Sequence, residues 1–199
     1  MNGMDALRAI HTRRSTRRLK PDPLPREALE AVIEAGRCAP SGGNSQTTRF
    51  IVITERDTLD ALAREVCEAF AAMEVTEGMY GSLRNSILAS KRGGYRFHYD
   101  APALIVTANR RDYGNNIADC ACALENMMIA CNAMDLGSCW INQLHWLTDH
   151  PVIRAHMRSL GMGEDECVCG ALAVGWPDTP DGLPLRKTLE RTGNPVVWH

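Results

Sequence analysis

Four arginines and three hydroxyl residues share the stretch Thr12-Arg13-Arg14-Ser15-Thr16-Arg17-Arg18. A guanidinium fork grips phosphate oxygens through paired, charge-assisted hydrogen bonds, and Ser and Thr hydroxyls add neutral donors at the same oxygens. The stretch has the chemistry to hold a phosphate monoester. A run of charge is also what a solvated basic turn looks like, so its neighbours must decide its meaning.

Downstream, Ala39-Pro40-Ser41-Gly42-Gly43-Asn44-Ser45-Gln46 gathers small and amide-bearing side chains just before the apolar run Phe50-Ile51-Val52-Ile53. Paired glycines let backbone approach a ligand closely, and Ser, Asn and Gln offer donors and acceptors to a ring edge or a hydroxyl. Alone, the segment is an ordinary helix-to-strand connection. No Gly-x-Gly-x-x-Gly follows a strand pattern. Gly161-Met162-Gly163 follows a helical one and lacks the third glycine, and there is no P-loop, so neither a dinucleotide-binding fold nor a phosphate loop is expected.

The 199 residues suit a single domain, 1–199, and their formal net charge of −2 gives no global attraction to nucleic acid. The arginines are a local site. No stretch reaches the ~20 apolar residues of a membrane span, and the opening Met1-Asn2-Gly3-Met4-Asp5 lacks a signal-like run, so a cytoplasmic protein without a membrane partner is expected. There the eight cysteines should stay reduced. Cys120 and Cys122 lie about 200° apart around a helix, Cys167 and Cys169 on one face of a strand, and no Cys-x-x-Cys knuckle joins them. Buried thiols acting as small hydrophobes account for them, and no metal is expected.

The elements that position these residues can be read in order. Leu7 and Ile10 give a short helix over 4–12 that delivers the arginines, and Pro21, Pro23 and Pro25 break it. Pro25 opens a second helix with Leu29, Val32 and Ile33 on one stripe, ending into the Pro40 loop. A covered strand over 50–53 leads to a helix capped by Asp57 or Thr58, with Leu59, Leu62, Val66, Phe70 and Met73 inward. Residues 74–94, glycine-spaced, read as a mobile lid-like insertion holding one short helix around Leu83, Ile87 and Leu88. A strand over 103–108 follows. Asn115 or Asn116 then opens the longest helix, apolar on more than one stripe and ended by Gly137. Thr148 and Asp149 cap a helix through Leu160 that turns Val152, Ile153, His156, Met157 and Leu160 inward. A strand over 167–175 leads into an arm, 176–199, with no core of its own.

Taken together, the basic stretch, the Pro40–Gln46 loop, Leu185-Arg186-Lys187-Thr188-Leu189 and Val196-Val197-Trp198 resemble the FMN-dependent nitroreductase family over essentially the whole chain. The resemblance implies an α+β, three-layer fold whose central, mainly antiparallel sheet is flanked by helices, although strands alternating with helices would by pattern alone suggest a parallel sheet. It implies FMN, with Arg13, Ser15, Arg186 and Lys187 near its phosphate, Arg17 near N1 and O2, and Arg14 among the cofactor-binding residues. Asn142 and Gln143 fall near N5 and O4. Pro40, Ser41, Gly42, Gly43, Asn44 and Gln46 reach the flavin of the partner in an intertwined homodimer, over which the arm wraps. NADH or NADPH is the implied donor, a small nitroaromatic or quinone the acceptor, in a ping-pong cycle with no side chain as nucleophile or base. A substrate dehydrogenase on the same fold and a non-catalytic flavin-binding protein are the competing readings.

Overall fold

The computed structural model describes residues 4–199; Met1–Gly3, part of the opening segment read for a signal, lie outside it. Its elements in order are α1 (Ala6–Thr12), α2 (Arg26–Arg37), β1 (Arg49–Ile53), α3 (Arg56–Ala71), α4 (Gly81–Lys91), β2 (Ala103–Arg110), α5 (Asn116–Ala133), β3 (Gly137–Ile141), α6 (Gln143–Trp146), α7 (Pro151–Ser159) and β4 (Glu166–Gly175). The strands form one sheet in the order β1-β2-β4-β3, every neighbouring pair antiparallel. The fold is α+β.

Alternation along the strands builds three layers. On β2, Ala103 and Ile105 face one core with Leu29, Val32 of α2 and Leu124, Met127 of α5, while Leu104, Val106 and Ala108 face the other with Leu59, Leu62, Val66 and Phe70 of α3. Successive Cβ atoms of a strand point to opposite faces, so one apolar strand serves both. Gly36 lets α2 close onto α5: a Cβ there would lie 2.9 Å from Met127 Cγ and 3.0 Å from Phe50 Cε1.

Several sequence expectations change at element ends. Glu55, not Asp57 or Thr58, occupies the N-cap of α3, and no side chain caps it. Gly137 does not end α5. Asp135 takes the left-handed turn at φ 61°, and the Leu136 N–H bonds back to the Cys131 carbonyl at 2.8 Å, the long bond of a Schellman stop. Gly137 instead starts β3, where a Cβ would meet Leu19 Cδ2 at 2.7 Å and Thr16 Cγ2 at 2.8 Å. Thr148 and Asp149 do not cap α7, whose N-cap is His150. The Thr148 hydroxyl accepts the Val168 N–H and Asp149 pairs with Arg111. Val152 is half exposed rather than inward. Within 74–94 the short helix is present and spans α4, whose buried positions are Ser86, Ile87 and Ser90.

Cys169 falls where the β2–β4 register shifts, so it and Cys167 do not repeat on one regular face. The Cys169 thiol meets Cys120, holding the Cys120 thiol below its ordinary pKa while its own is pushed up by the same bond. Among the described residues no group of three or more His, Cys, Asp or Glu side chains is arranged to hold a metal, and no helix is long and apolar enough to cross a membrane.

His98 supplies a measurable consequence of burial. It is fully buried, with Nε2 3.3 Å from the Leu59 carbonyl and Nδ1 unpartnered. Burial first, then the Arg96 charge, lowers its pKa below 6.5. The unfolded chain therefore takes up a proton as pH falls through about 6.5 while the folded protein does not, and stability drops with falling pH until the lower folded pKa is reached. Thermal unfolding between pH 7.5 and 5 should show this loss, at most about 1.4 kcal/mol per pH unit from this group. His98→Gln should flatten that part of the profile; an equal slope in both proteins would place the acid sensitivity elsewhere.

Candidate functional site

The arginine stretch leaves α1 at Arg13, the helix C-cap, whose N–H bonds to the Ala9 carbonyl. From there the chain runs extended beside the sheet. Thr16 N–H donates to the Ser138 carbonyl at 2.8 Å and Lys20 N–H to the Trp176 carbonyl at 2.8 Å, with Leu19 bridged to Pro177. Glycine at 137 makes this possible, because Thr16 and Leu19 occupy the space a side chain would need. In an extended segment residues two apart share a face, which places Arg13, Ser15 and Arg17 together. All three act on the buried Cys139 thiol of β3: burial raises its pKa, and the Arg17 charge, a Ser15 bond and the Arg13 charge oppose the rise.

Arg17 is held from outside the stretch. Its Nε donates to the Tyr99 hydroxyl at 3.3 Å, and its guanidinium carbon sits 5.9 Å from the Tyr99 ring centre. That bond is the main cause of its raised pKa. Tyr99 and Asp100 both take positive φ, 57° and 56°, a conformation that costs free energy for non-glycine residues and needs support. Arg96 supplies it by bridging Asp100 at 2.7 Å to Asp60 of α3.

Arg14 donates Nη1 to the Arg13 carbonyl at 2.5 Å, yet its Nε and Nη2 are buried with no partner. Arg13 lies 3.8 Å from Glu125. Arg186 reaches the same region from the arm: it donates to Asn132 Oδ1 at 3.2 Å and also bonds the Asn132 carbonyl and Asp135. Asn132 in turn donates to the Ala9 carbonyl at 2.9 Å and to Thr12 at 3.1 Å, joining the arm to the start of the stretch. Lys187 is exposed. Beside Ser15 and Arg17 an open cavity of about 500 Å³ is bounded by Asp178, Pro180 and Leu185.

The Pro40–Gln46 loop is elsewhere. Its Gly42 N–H is bound by Asp119 in the first turns of α5, whereas Asn132 sits in the last. At 1.5 Å per residue those two points are roughly 20 Å apart along the helix. A 310 Å³ cavity next to the loop is lined by Arg37, Ser41, Gln46, Thr48, Phe50 and Asp119. Arg13, against Glu125, lies between those two points, and among the described residues no hydrogen bond or ion pair joins the loop to the arginine stretch.

This combination of three-layer fold and basic approach segment coincides with a known family across most of the chain: residues 10–176 match the profile of the Nitroreductase family. The chain belongs to that family. Among solved structures, a nitroreductase from Bacteroides fragilis with bound FMN is 32% identical, with a TM-score of 0.84 over 98% of this chain and 100% of its own. An FMN- and NADPH-dependent nitroreductase from Sphingopyxis sp. strain HMH shares the fold at a TM-score of 0.73 and 23% identity, covering 98% and 99%. The nitrobenzene nitroreductase of Ectopseudomonas oleovorans is 27% identical over 202 residues, 85% of each chain.

In this nitroreductase-family chain Asn142 and Gln143 sit at the end of β3, with their side chains engaged inside the protein. Asn142 Oδ1 accepts from Trp140 Nε1 at 2.7 Å. Gln143 is buried and donates Nε2 to Tyr95 at 2.8 Å and to Ser86 of α4 at 3.3 Å. Sequence reading missed Tyr95, Tyr99, Asn132, Tyr113 and Asp119. None belongs to a motif; each joins a candidate residue only through the fold.

Proposed function

We propose that this chain is an FMN-dependent oxidoreductase that takes two electrons from NADH or NADPH and passes them to a small nitroaromatic, quinone or other conjugated acceptor. The observation that carries this reading is the one-sided row Arg13, Ser15 and Arg17, which with Arg186 nearby offers charged and hydroxyl donors suited to a phosphate and to the electron-rich edge of a ring. The FMN and NADPH named for related nitroreductases add support.

When bound, FMN supplies the two-electron chemistry, so the protein needs no nucleophile or general base. What these residues contribute is binding and placement. Arg13 and Ser15, with Arg186 and Lys187, would hold the phosphate end. Arg17, fixed by Tyr99, sets a positive charge beside the ring and favours added electron density there. Gln143, locked by Tyr95 and Ser86, keeps the end of β3 and α4 in one frame, which supports α4 and the rest of 74–94 as the lid that shapes the acceptor side. Donor and acceptor then use one open face in turn, a ping-pong order.

Asp119, which binds the loop, and Asn132, which binds Arg186, lie roughly 20 Å apart along α5, and this supports a homodimer, because an antiparallel second α5 sets the loop end of one chain against the Arg186 end of the other. The solvent-facing side of α5, with Ile117, Ala118, Cys122 and Glu125, is mostly apolar. Eight free thiols fit a reducing cytoplasm.

Purified protein should be yellow, release FMN on denaturation, bleach when mixed anaerobically with NADH or NADPH, and regain colour with nitrobenzene or a quinone. Colourless protein that takes up no added FMN would overturn the proposal. Yellow protein that neither nicotinamide bleaches would be a dehydrogenase or a binder instead.

A further inference from the structure

A second polar network lies away from the arginine row and closes around one backbone residue, Gly42. Asp119 of α5, 6% exposed, accepts the Gly42 N–H at 3.1 Å to Oδ1 and 3.3 Å to Oδ2. The same carboxylate accepts the Tyr113 hydroxyl at 2.9 Å. Tyr113 oxygen also lies 3.1 Å from the Gly42 carbonyl and receives the Ser45 hydroxyl at 3.0 Å. Asn115 closes the third side: a Cβ on Gly42 would lie 2.1 Å from Asn115 Nδ2 and 2.6 Å from the Tyr113 hydroxyl. The Gly42 N–H is thus held by Asp119 of α5, while its carbonyl accepts the Ser45 N–H at 3.1 Å with the Tyr113 hydroxyl beside it.

The segment held in this way is under backbone strain. Gly43, Asn44 and Gln46 all have positive φ, 59°, 54° and 52°. For Asn44 and Gln46 that conformation costs free energy and persists only where the surroundings over-determine it. Three bonds inside the loop fix its shape, Asn44 N–H to the Ser41 carbonyl at 2.9 Å, Ser45 N–H to the Gly42 carbonyl at 3.1 Å and Gln46 N–H to Ser41 Oγ at 3.0 Å. None fixes its place. Among the described residues, the Asp119–Tyr113 clamp ties the strained loop to the rigid helix.

We propose that Asp119 and Tyr113 are positioning residues that pre-organise Ser41, Asn44 and Gln46 for contact with the flavin ring, an inference that rests on the flavin reading above. A loop ordered before its ligand arrives does not lose that freedom on binding, so the clamp tightens the complex without touching the ligand. The chemistry of the clamp is specific to a carboxylate. Two donors converge on Asp119, and an amide in its place must turn an N–H toward one of them.

The test is made on the full chain, comparing wild type with Tyr113→Phe, Gly42→Ala, Asp119→Asn and Asp119→Ala. Each apoprotein is titrated with FMN, and the visible spectrum and midpoint potential of the bound flavin are recorded beside the thermal midpoint of the apoprotein. Tyr113→Phe removes one hydroxyl from a half-buried ring, and Gly42→Ala pushes that hydroxyl away from the other side, so the two should agree. We expect each to weaken FMN about tenfold and to alter the spectrum and potential, Asp119→Asn to fall between them and wild type, and Asp119→Ala to be weakest. Wild type that binds FMN while Tyr113→Phe matches it in affinity, spectrum and potential would overturn the inference alone. Loss of affinity with an unchanged spectrum and potential would also overturn it, reducing the clamp to a structural support. Wild type that binds no FMN would remove the flavin reading and this inference with it.

Discussion

Replacing Arg13 and Ser15 together with alanine should weaken FMN binding by roughly 10² to 10⁴, with the fold intact. Hydrogen bonds to a charged partner contribute about 1.5–3 kcal/mol each, two are removed, and every 1.4 kcal/mol is tenfold in affinity. Little else depends on these side chains. Arg13 caps α1 through its backbone N–H, which alanine keeps, and its pairing with Glu125 at 3.8 Å is partly exposed, a contact worth ~0–1 kcal/mol. Ser15 is exposed. Arg26, exposed on α2 and paired with Glu30, supplies the control: Arg26→Ala should bind FMN as wild type does. Affinity would be read by quenching of flavin fluorescence and the fold by circular dichroism. An unchanged affinity in the double variant would return the stretch to a solvated basic turn.

What the sequence made visible follows from the range over which each feature is determined. The inward stripe Leu59, Leu62, Val66 and Phe70 is periodic, and all four are buried. β2 and β4 are largely apolar because both sheet faces are covered there, and such runs do not report direction; on β1, expected to be covered on both sides, Arg49 and Val52 face solvent. Antiparallel pairing was expected from family resemblance, since the alternation of strands and helices suggests the opposite. Gly137 stands where a helix-ending glycine would stand, but contact with Leu19 and Thr16, more than a hundred positions earlier, decides its place. α4 buries Ser86 and Ser90, so its apolar signal is weak. At the site, residue types were legible and geometry was not. Arg17 and Tyr99 are 82 positions apart, and nothing in their spacing marks them as partners. Nor could spacing reveal that the Pro40–Gln46 loop is held at one end of α5, by Asp119, and Arg186 at the other, by Asn132.

Removing residues from Pro184 onward should cost dimerisation, flavin binding and solubility together. In the single chain the arm is anchored at Arg186, which binds the C-terminal end of α5 through Asn132 and Asp135. Beyond it, Leu189, Val196, Val197 and Trp198 are 46%, 70%, 75% and 90% exposed. A water-facing cluster of this kind marks a surface meant for a partner, and a second copy of the chain is the partner proposed above. Obligate interfaces usually bury more than ~2,000 Å² and leave no stable folded monomer. Loss of the arm removes apolar area from that interface and Arg186 from the phosphate end in one step. Arg186→Ala separates the two contributions: it should weaken FMN binding while the protein remains a dimer by light scattering. The truncated chain should instead aggregate or elute as colourless, flavin-free monomer. A truncated protein that stayed a soluble, yellow monomer would refute the arm's role, and with it a flavin site shared between two chains.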